Sequence, residues 1–154
     1  IHGVFQSTSY STVWDNFSVN ELVGGATGSP PFVRGTVTKT TGSLAVNATE
    51  NGTIPFASAF RLMNININRA CRVRLYKSSA ARSADASRAV GTDVDISTDH
   101  GLIFEYVGTG SISAMLSPLV DGYCPSGTSI YYAIENRSAS TNTVTVIFDW
   151  IRTE

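Results

Sequence analysis

The stretch from Ile130 to Trp150 constrains the fold most. It reads Ile-Tyr-Tyr-Ala-Ile-Glu, then a polar link from Asn136 to Asn142, then Thr-Val-Thr-Val-Ile-Phe-Asp-Trp. Ile130, Tyr132 and Ile134 recur every second residue, and so do Val144, Val146, Phe148 and Trp150. Side chains two apart on a strand share a face, so each run buries one face and wets the other. The link of small polar residues reads as a hairpin loop. An antiparallel pair with one apolar face must pack on a second sheet, so the end of the chain predicts a β-sandwich or barrel.

The rest of the chain fits that class. Residues 1–31 carry scattered large apolar groups, with Trp14 and Phe17 in a strand-like run from Thr12 to Val19 and a Gly- and Pro-rich loop after it. This segment reads either as an arm or edge strand lying on another surface, or as an ordinary first strand. Residues 32–154 read as the sandwich domain. Within it, Phe32 to Val46 predicts a hairpin turning at Thr41-Gly42-Ser43, and Asn47 to Pro55 a polar loop. Phe56 to Ile67 predicts a strand with Ala59, Met63, Ile65 and Ile67 inward. Cys71 to Tyr76 predicts another, with Cys71, Val73 and Leu75 inward and Arg72 and Arg74 exposed. The Ala-rich part of a long connection, Ser78 to Val90, allows a turn or two of helix. Leu102 to Val107 and Ile112 to Leu116 read as strands, the second stopped by Pro118, with turns at Asp121-Gly122 and Pro125-Ser126-Gly127. Strands at this spacing without a sustained helical period predict an all-β antiparallel sandwich, jelly-roll-like.

Composition narrows the function classes. With 154 residues the chain is long enough for one domain with a real core. Charged residues make up only 15%, well below the usual share of about a quarter. Ser and Thr fill the gap, a composition common in β-rich extracellular or particle-borne proteins. A net charge of −1 gives no field for nucleic acid or an anionic membrane. No apolar run reaches the ~20 residues that span a bilayer as a helix. The opening Ile-His-Gly-Val-Phe soon turns polar, unlike a secretory signal. Cys71 and Cys124 permit one disulfide at most and read as two unpaired thiols.

The basic residues supply one candidate site. Arg61, Arg69, Arg72, Arg74, Lys77, Arg82 and Arg88 are seven of the eleven. Asp85, Asp93, Asp95 and Asp99 lie among them or just after. Guanidinium forks pair with carboxylates in fixed geometry. The cluster therefore reads either as an interface to a neighbouring subunit or as a local clamp that fixes the connection onto its own sheet. With Trp14, Phe17 and Tyr76 added, the interface reading comprises Trp14, Phe17, Arg72, Arg74, Tyr76, Arg82 and Arg88. It predicts that changing Arg72 and Arg74 to Glu weakens assembly while the domain stays folded.

Other chemistry finds little support. Asp93, Asp95 and Asp99 lack the spacing and glycine of an EF-hand loop. His2 and His100 form no zinc pattern with the cysteines. Gly-x-Ser-x-Gly is absent, and Glu is scarce, with Glu105 and Glu135 alternating outward on strands. No cofactor or metal is expected. Tyr106, Tyr123, Tyr131, Trp14 and Trp150 suit either sugar stacking or core and interface packing. Asn-x-Ser/Thr sequons occur at Asn16, Asn47, Asn51 and Asn136 and matter only in a eukaryotic secretory pathway.

The stretch Arg72-Val-Arg-Leu-Tyr-Lys-Ser-Ser-Ala-Ala-Arg-Ser-Ala-Asp-Ala-Ser-Arg-Ala-Val-Gly91 resembles segments of small bacteriophage virion structural proteins. Asp99-His-Gly-Leu-Ile-Phe-Glu105, Leu116-Ser-Pro-Leu-Val-Asp-Gly-Tyr123 and the closing Tyr-Tyr-Ala-Ile-Glu-Asn with Val-Thr-Val share the likeness, which covers about the C-terminal half. It implies a virion component: a head decoration or cement protein, or a tail-associated β-sandwich. It further implies assembly by symmetry, with other virion proteins as partners, homo-oligomers and no cofactor. The rival expectation is a carbohydrate- or receptor-binding module of a tail fibre.

Overall fold

The structure, a computed structural model, describes residues 33–95, 97, 100–125 and 127–154. Trp14, Phe17, Asn16 and the expected N-terminal arm lie outside the described residues, as do Asp99 and Ser126. Eight strands are described: β1 (Arg34–Thr40), β2 (Thr49–Pro55), β3 (Ala59–Ile67), β4 (Cys71–Tyr76), β5 (Leu102–Gly108), β6 (Ile112–Tyr123), β7 (Ser129–Asn136) and β8 (Thr145–Arg152). One short helix, α1 (Ser79–Ala84), follows β4 where the Ala-rich segment predicts it. The strands form two four-stranded sheets, ordered β1-β8-β3-β6 and β2-β7-β4-β5, with every pairing antiparallel. This is the expected all-β sandwich with jelly-roll order. Its pairs are nested: β4 with β5, β3 with β6, β2 with β7 and β1 with β8.

The two-residue rhythm places the core. Phe60, Leu62, Ile65, Ile67, Val146 and Phe148 come from one sheet and Val73, Leu75, Ile130 and Ile134 from the other, all at most 3% exposed. Phe56 joins the layers, stacked on Phe60 at 4.4 Å between ring centroids and edge-on to Phe148 at 5.8 Å. Aromatic pairs at such spacings add to the burial of their area. Cys71 and Cys124 are both free, as expected, and both are buried; burial pushes the Cys71 thiol up to about 12.

Six local expectations are corrected, each for a physical reason. The closing segments are not a hairpin. β7 and β8 lie in different sheets, and the link from Asn136 to Asn142 crosses between layers. Phe32 to Val46 is not a hairpin either, because β1 pairs with β8, and Leu44 bridges Asn142 instead. Asn47 to Pro55 is not a loop: β2 is an edge strand whose inward row is Glu50, Gly52 and Ile54, so it lacks an apolar signature. Glu50 is held there by the Lys39 ammonium at 2.9 Å, the Tyr132 hydroxyl at 2.8 Å and the Gly42 N–H at 2.7 Å.

In β3 the inward residues are Phe60 and Leu62 rather than Ala59 and Met63. The register shifts at Met63, and this bulge resets the phase so that Ile65 and Ile67 still face in. Finally, β6 does not stop at Pro118. It runs on to Tyr123, because an edge strand tolerates a residue without an N–H. Gly122 is part of that strand and not of a turn. The Phe60 ring occupies the place where a Gly122 Cβ would sit.

Asn136 holds the crossing loop and carried no sequence signal beyond its sequon. Its side chain is fully buried. Its amide donates to the carbonyls of Leu44 and Ser140, each at 2.9 Å, and its Oδ1 accepts from the Ser138 N–H at 3.0 Å and hydroxyl at 2.6 Å. A side chain so engaged cannot accept a glycan, whereas Asn47 and Asn51 are exposed. Asn136→Ala is expected to lower unfolding free energy by roughly 2–4 kcal/mol, since it strands several buried partners together. Chemical denaturation checks this, and a loss under about 0.5 kcal/mol, the size of an ordinary surface change, would contradict it.

Candidate interaction surfaces

The two outer faces of the sandwich differ. The outer face of β2-β7-β4-β5 is covered by the chain itself over β4 and β7, while Val107 of β5 and the outward row of β2 stay exposed. Ser78 caps α1 by accepting from the Ala81 N–H at 3.1 Å, and Ala81 packs with Tyr76 and Ala133. Alanine on helix and strand lets the backbones approach closely. Beyond α1 the connection lies over β4. The outward row of β4 is therefore buried as well as its core row, with Arg72 at 2% and Arg74 at 3% exposed. The expectation that these two arginines are exposed is corrected: they alternate outward, but outward here means under the connection.

A guanidinium out of water must be paired, and Asp85 and Glu105 supply the charge. Arg72 Nε donates to Glu105 at 2.6 Å and its Nη1 to the Arg88 carbonyl at 2.6 Å. Arg74 Nη1 donates to the Asp85 carbonyl at 2.8 Å and to its carboxylate at 3.3 Å. Arg88 forks onto both Asp85 oxygens at 2.5 and 3.0 Å and reaches Glu105 at 2.6 Å. The Tyr76 hydroxyl donates to Asp85 at 2.6 Å. Arg82 donates to the Gly52 carbonyl at 2.8 Å and lies over the Tyr131 ring. Four expected interface residues, Arg72, Arg74, Tyr76 and Arg88, are thus brought together around Asp85 and Glu105, Arg82 sits apart on Gly52 and Tyr131, and all five bind their own chain. This is the local clamp that the sequence also allowed.

The electrostatics follow from the geometry. Burial pushes the Asp85 carboxyl up, but the Arg88 fork, the Tyr76 hydroxyl and the Arg88 and Arg74 charges outweigh it and hold it below the ordinary value. Burial, then the bond to Asp85, raises the Tyr76 hydroxyl. Hydrogen bonding to Asp85 raises Arg88. The remaining candidates do not converge. His100 Nδ1 accepts from the Leu102 N–H at 3.0 Å, a local bond at a strand start. Asp95 accepts from Ser97. Among the described residues no group of three His, Cys, Asp or Glu could hold a metal ion. No helix of the described residues is long and apolar enough to cross a membrane.

The outer face of β1-β8-β3-β6 is different, since α1 packs on β4 and β7 in the other sheet. Its β6 row carries Met115 at 86%, Leu119 at 44% and Tyr123 at 59% exposed. Asp149 accepts from Thr36 at 2.8 Å and from Asn64 at 3.1 Å, linking three strands. Beside them is a shallow cavity of about 320 Å³ walled by Arg34, Met63 and Met115. Sequence reasoning named only Tyr123 here. The alternation through Pro118, with Ala114, Leu116 and Val120 inward, would have found Met115 and Leu119.

Two outcomes check the clamp. Arg72→Glu with Arg74→Glu is expected to unfold the domain, because it sets two new carboxylates beside Asp85, Glu105 and Glu135; a folded double variant by circular dichroism would contradict this. Asp85 has a lowered folded-state value, so its contribution is complete above the unfolded value of about 3.9 and is lost as pH falls through the lower folded one. Asp85→Asn should cost roughly 3 kcal/mol near neutrality and flatten the acid limb of melting temperature against pH; an unchanged limb would contradict it. No protein-family model matches the chain, and no curated protein matches it significantly.

Proposed function

We propose that the chain is a non-enzymatic structural protein of a bacteriophage virion, a capsid decoration or cement protein or a tail component, that binds neighbouring subunits. The observation that carries this reading is the contrast between the faces: the arginine and carboxylate groups of one are engaged within the chain, while the other presents Met115, Leu119 and Tyr123 to solvent. Exposed apolar side chains grouped on one element favour burial against a partner. The interface therefore moves from the arginine strand to the opposite sheet. Repeated by symmetry, modest contacts of this kind add up to a stable particle. The jelly-roll frame supports the reading only broadly, since shell proteins and lectins both use it.

The second reading, a carbohydrate- or receptor-binding module of a tail fibre, draws on the shallow cavity beside Asp149, Asn64 and Thr36, whose polar groups suit hydroxyls. Mass spectrometry of purified particles separates chains that belong to a virion from those that do not. The chain is expected at a fixed copy number relative to the major subunit, and its absence would overturn the proposal. Specific glycan-array binding that Asp149→Ala abolishes would favour the second reading.

A further inference from the structure

We infer that the arginine cluster binds a tetrahedral oxyanion, phosphate or sulfate, in the cavity between β4, the end of β7 and the connection after α1. This goes beyond the reading above and stands or falls apart from it.

Three observations carry it. First, a cavity of about 480 Å³ lies at that place. Its lining runs from the buried Arg72 and Arg74 to Val90 and Arg137, which are exposed. Second, the clamp leaves guanidinium donors over. Arg72 Nη2 and Arg74 Nε are buried and have no hydrogen-bond partner among the described residues. An unmet N–H shut away from water is costly, and in a native protein such a group points to an ion or a water that meets it. Arg72 and Arg74 are two apart on one face of β4, roughly 6–7 Å along the strand. An oxyanion whose oxygens point in several directions can accept from both guanidinium groups at once.

Third, the cluster is unbalanced in charge. Ion pairs join Arg72, Arg74, Arg88 and Arg137 to Asp85, Glu105 and Glu135. Four cations meet three anions, so one positive charge is in excess. A water brings no charge to offset it, whereas an anion does. Glu135 also lines the cavity, but Arg137 at 2.7 Å and Arg72 at 4.0 Å flank it and offset its repulsion. The two unpartnered nitrogens have almost no contact with solvent, so entry requires the rim to yield. Arg137 is the part that can, because it is exposed and an exposed ion pair costs little to open. Turned into the cavity, its guanidinium adds a donor to those of Arg72 and Arg74.

Thermal melting of the full chain in inorganic phosphate at constant ionic strength tests this. Phosphate and sulfate stabilise any protein through exclusion from its surface, but that gain does not saturate, whereas a site does. The wild type is expected to gain roughly 3 °C or more at saturation. Val90→Glu sets a carboxylate at the exposed rim and should abolish the saturable gain while circular dichroism stays unchanged. Thr38→Glu, exposed on β1 in the other sheet, should keep it. In side-chain NMR spectra the Nε–H signals of Arg72 and Arg74 should move with the same midpoint as the melting gain. Glycerol phosphate is the second probe. If it binds about tenfold tighter than the free ion, the phosphate arrives on a larger molecule; equal binding makes the free ion the ligand. A gain that never saturates, or that Val90→Glu retains in full, overturns the inference. So do Arg72 and Arg74 signals that ignore phosphate. None of these outcomes touches the structural role, which the particle measurement decides.

Discussion

Asp85 is the group on which the asymmetry of this molecule depends. Arg72 and Arg74 stand on β4 between β7 and β5, and neither can be desolvated alone without a cost of several kcal/mol. Asp85 answers Arg74 directly. It also fixes Arg88, which in turn secures Glu105 and places its own carbonyl on Arg72. The charges form a chain of mutual dependence, with each carboxylate serving two guanidinium groups. The connection after β4 is thereby drawn over one sheet, and the other sheet is left to face its surroundings.

The same cluster occupies a special place in the topology. The nested pairs describe one long antiparallel ribbon rolled into two layers, and the connection between β4 and β5 is its bend. The clamp therefore holds the bend, and the register of β4 with β5 sets the start from which the outer pairs follow. A mixed charge cluster at this point joins packing to topology in a way that an apolar patch, indifferent to direction, would not.

Much of the sandwich was legible in the sequence, and the failures have a common cause. Alternation reports faces. Ile130, Tyr132 and Ile134 face in, and so do Val144, Val146 and Phe148, as their spacing required. Alternation does not report partners, so two segments adjacent in sequence were joined as a hairpin although they belong to different sheets. It also does not distinguish solvent from cover, which is why Arg72 and Arg74 were expected in water. Pro118 and Gly122 carry turn chemistry by type, but an edge position removes the penalty of one and the Phe60 ring explains the other. Asn136 was unreadable because the carbonyls of Leu44 and Ala45 that complete its bonding come from a distant stretch, while Ser138 and Ser140 beside it read as ordinary loop residues. Met115 and Leu119 were within reach had the rhythm been followed through the proline.

The placement of β8 has a consequence for how the molecule is made. This strand is the last of the eight, yet it sits between β1 and β3. On the ribosome, β1 has no sheet neighbour among the described strands until β8 emerges, and β3 has only β6. The ribbon can close early at its bend, but its open end waits for β8. Until then the inner side of β3, with Phe60 and Leu62, lacks its neighbour in the sheet, so synthesis carries a window of exposure that lasts until β8 has emerged.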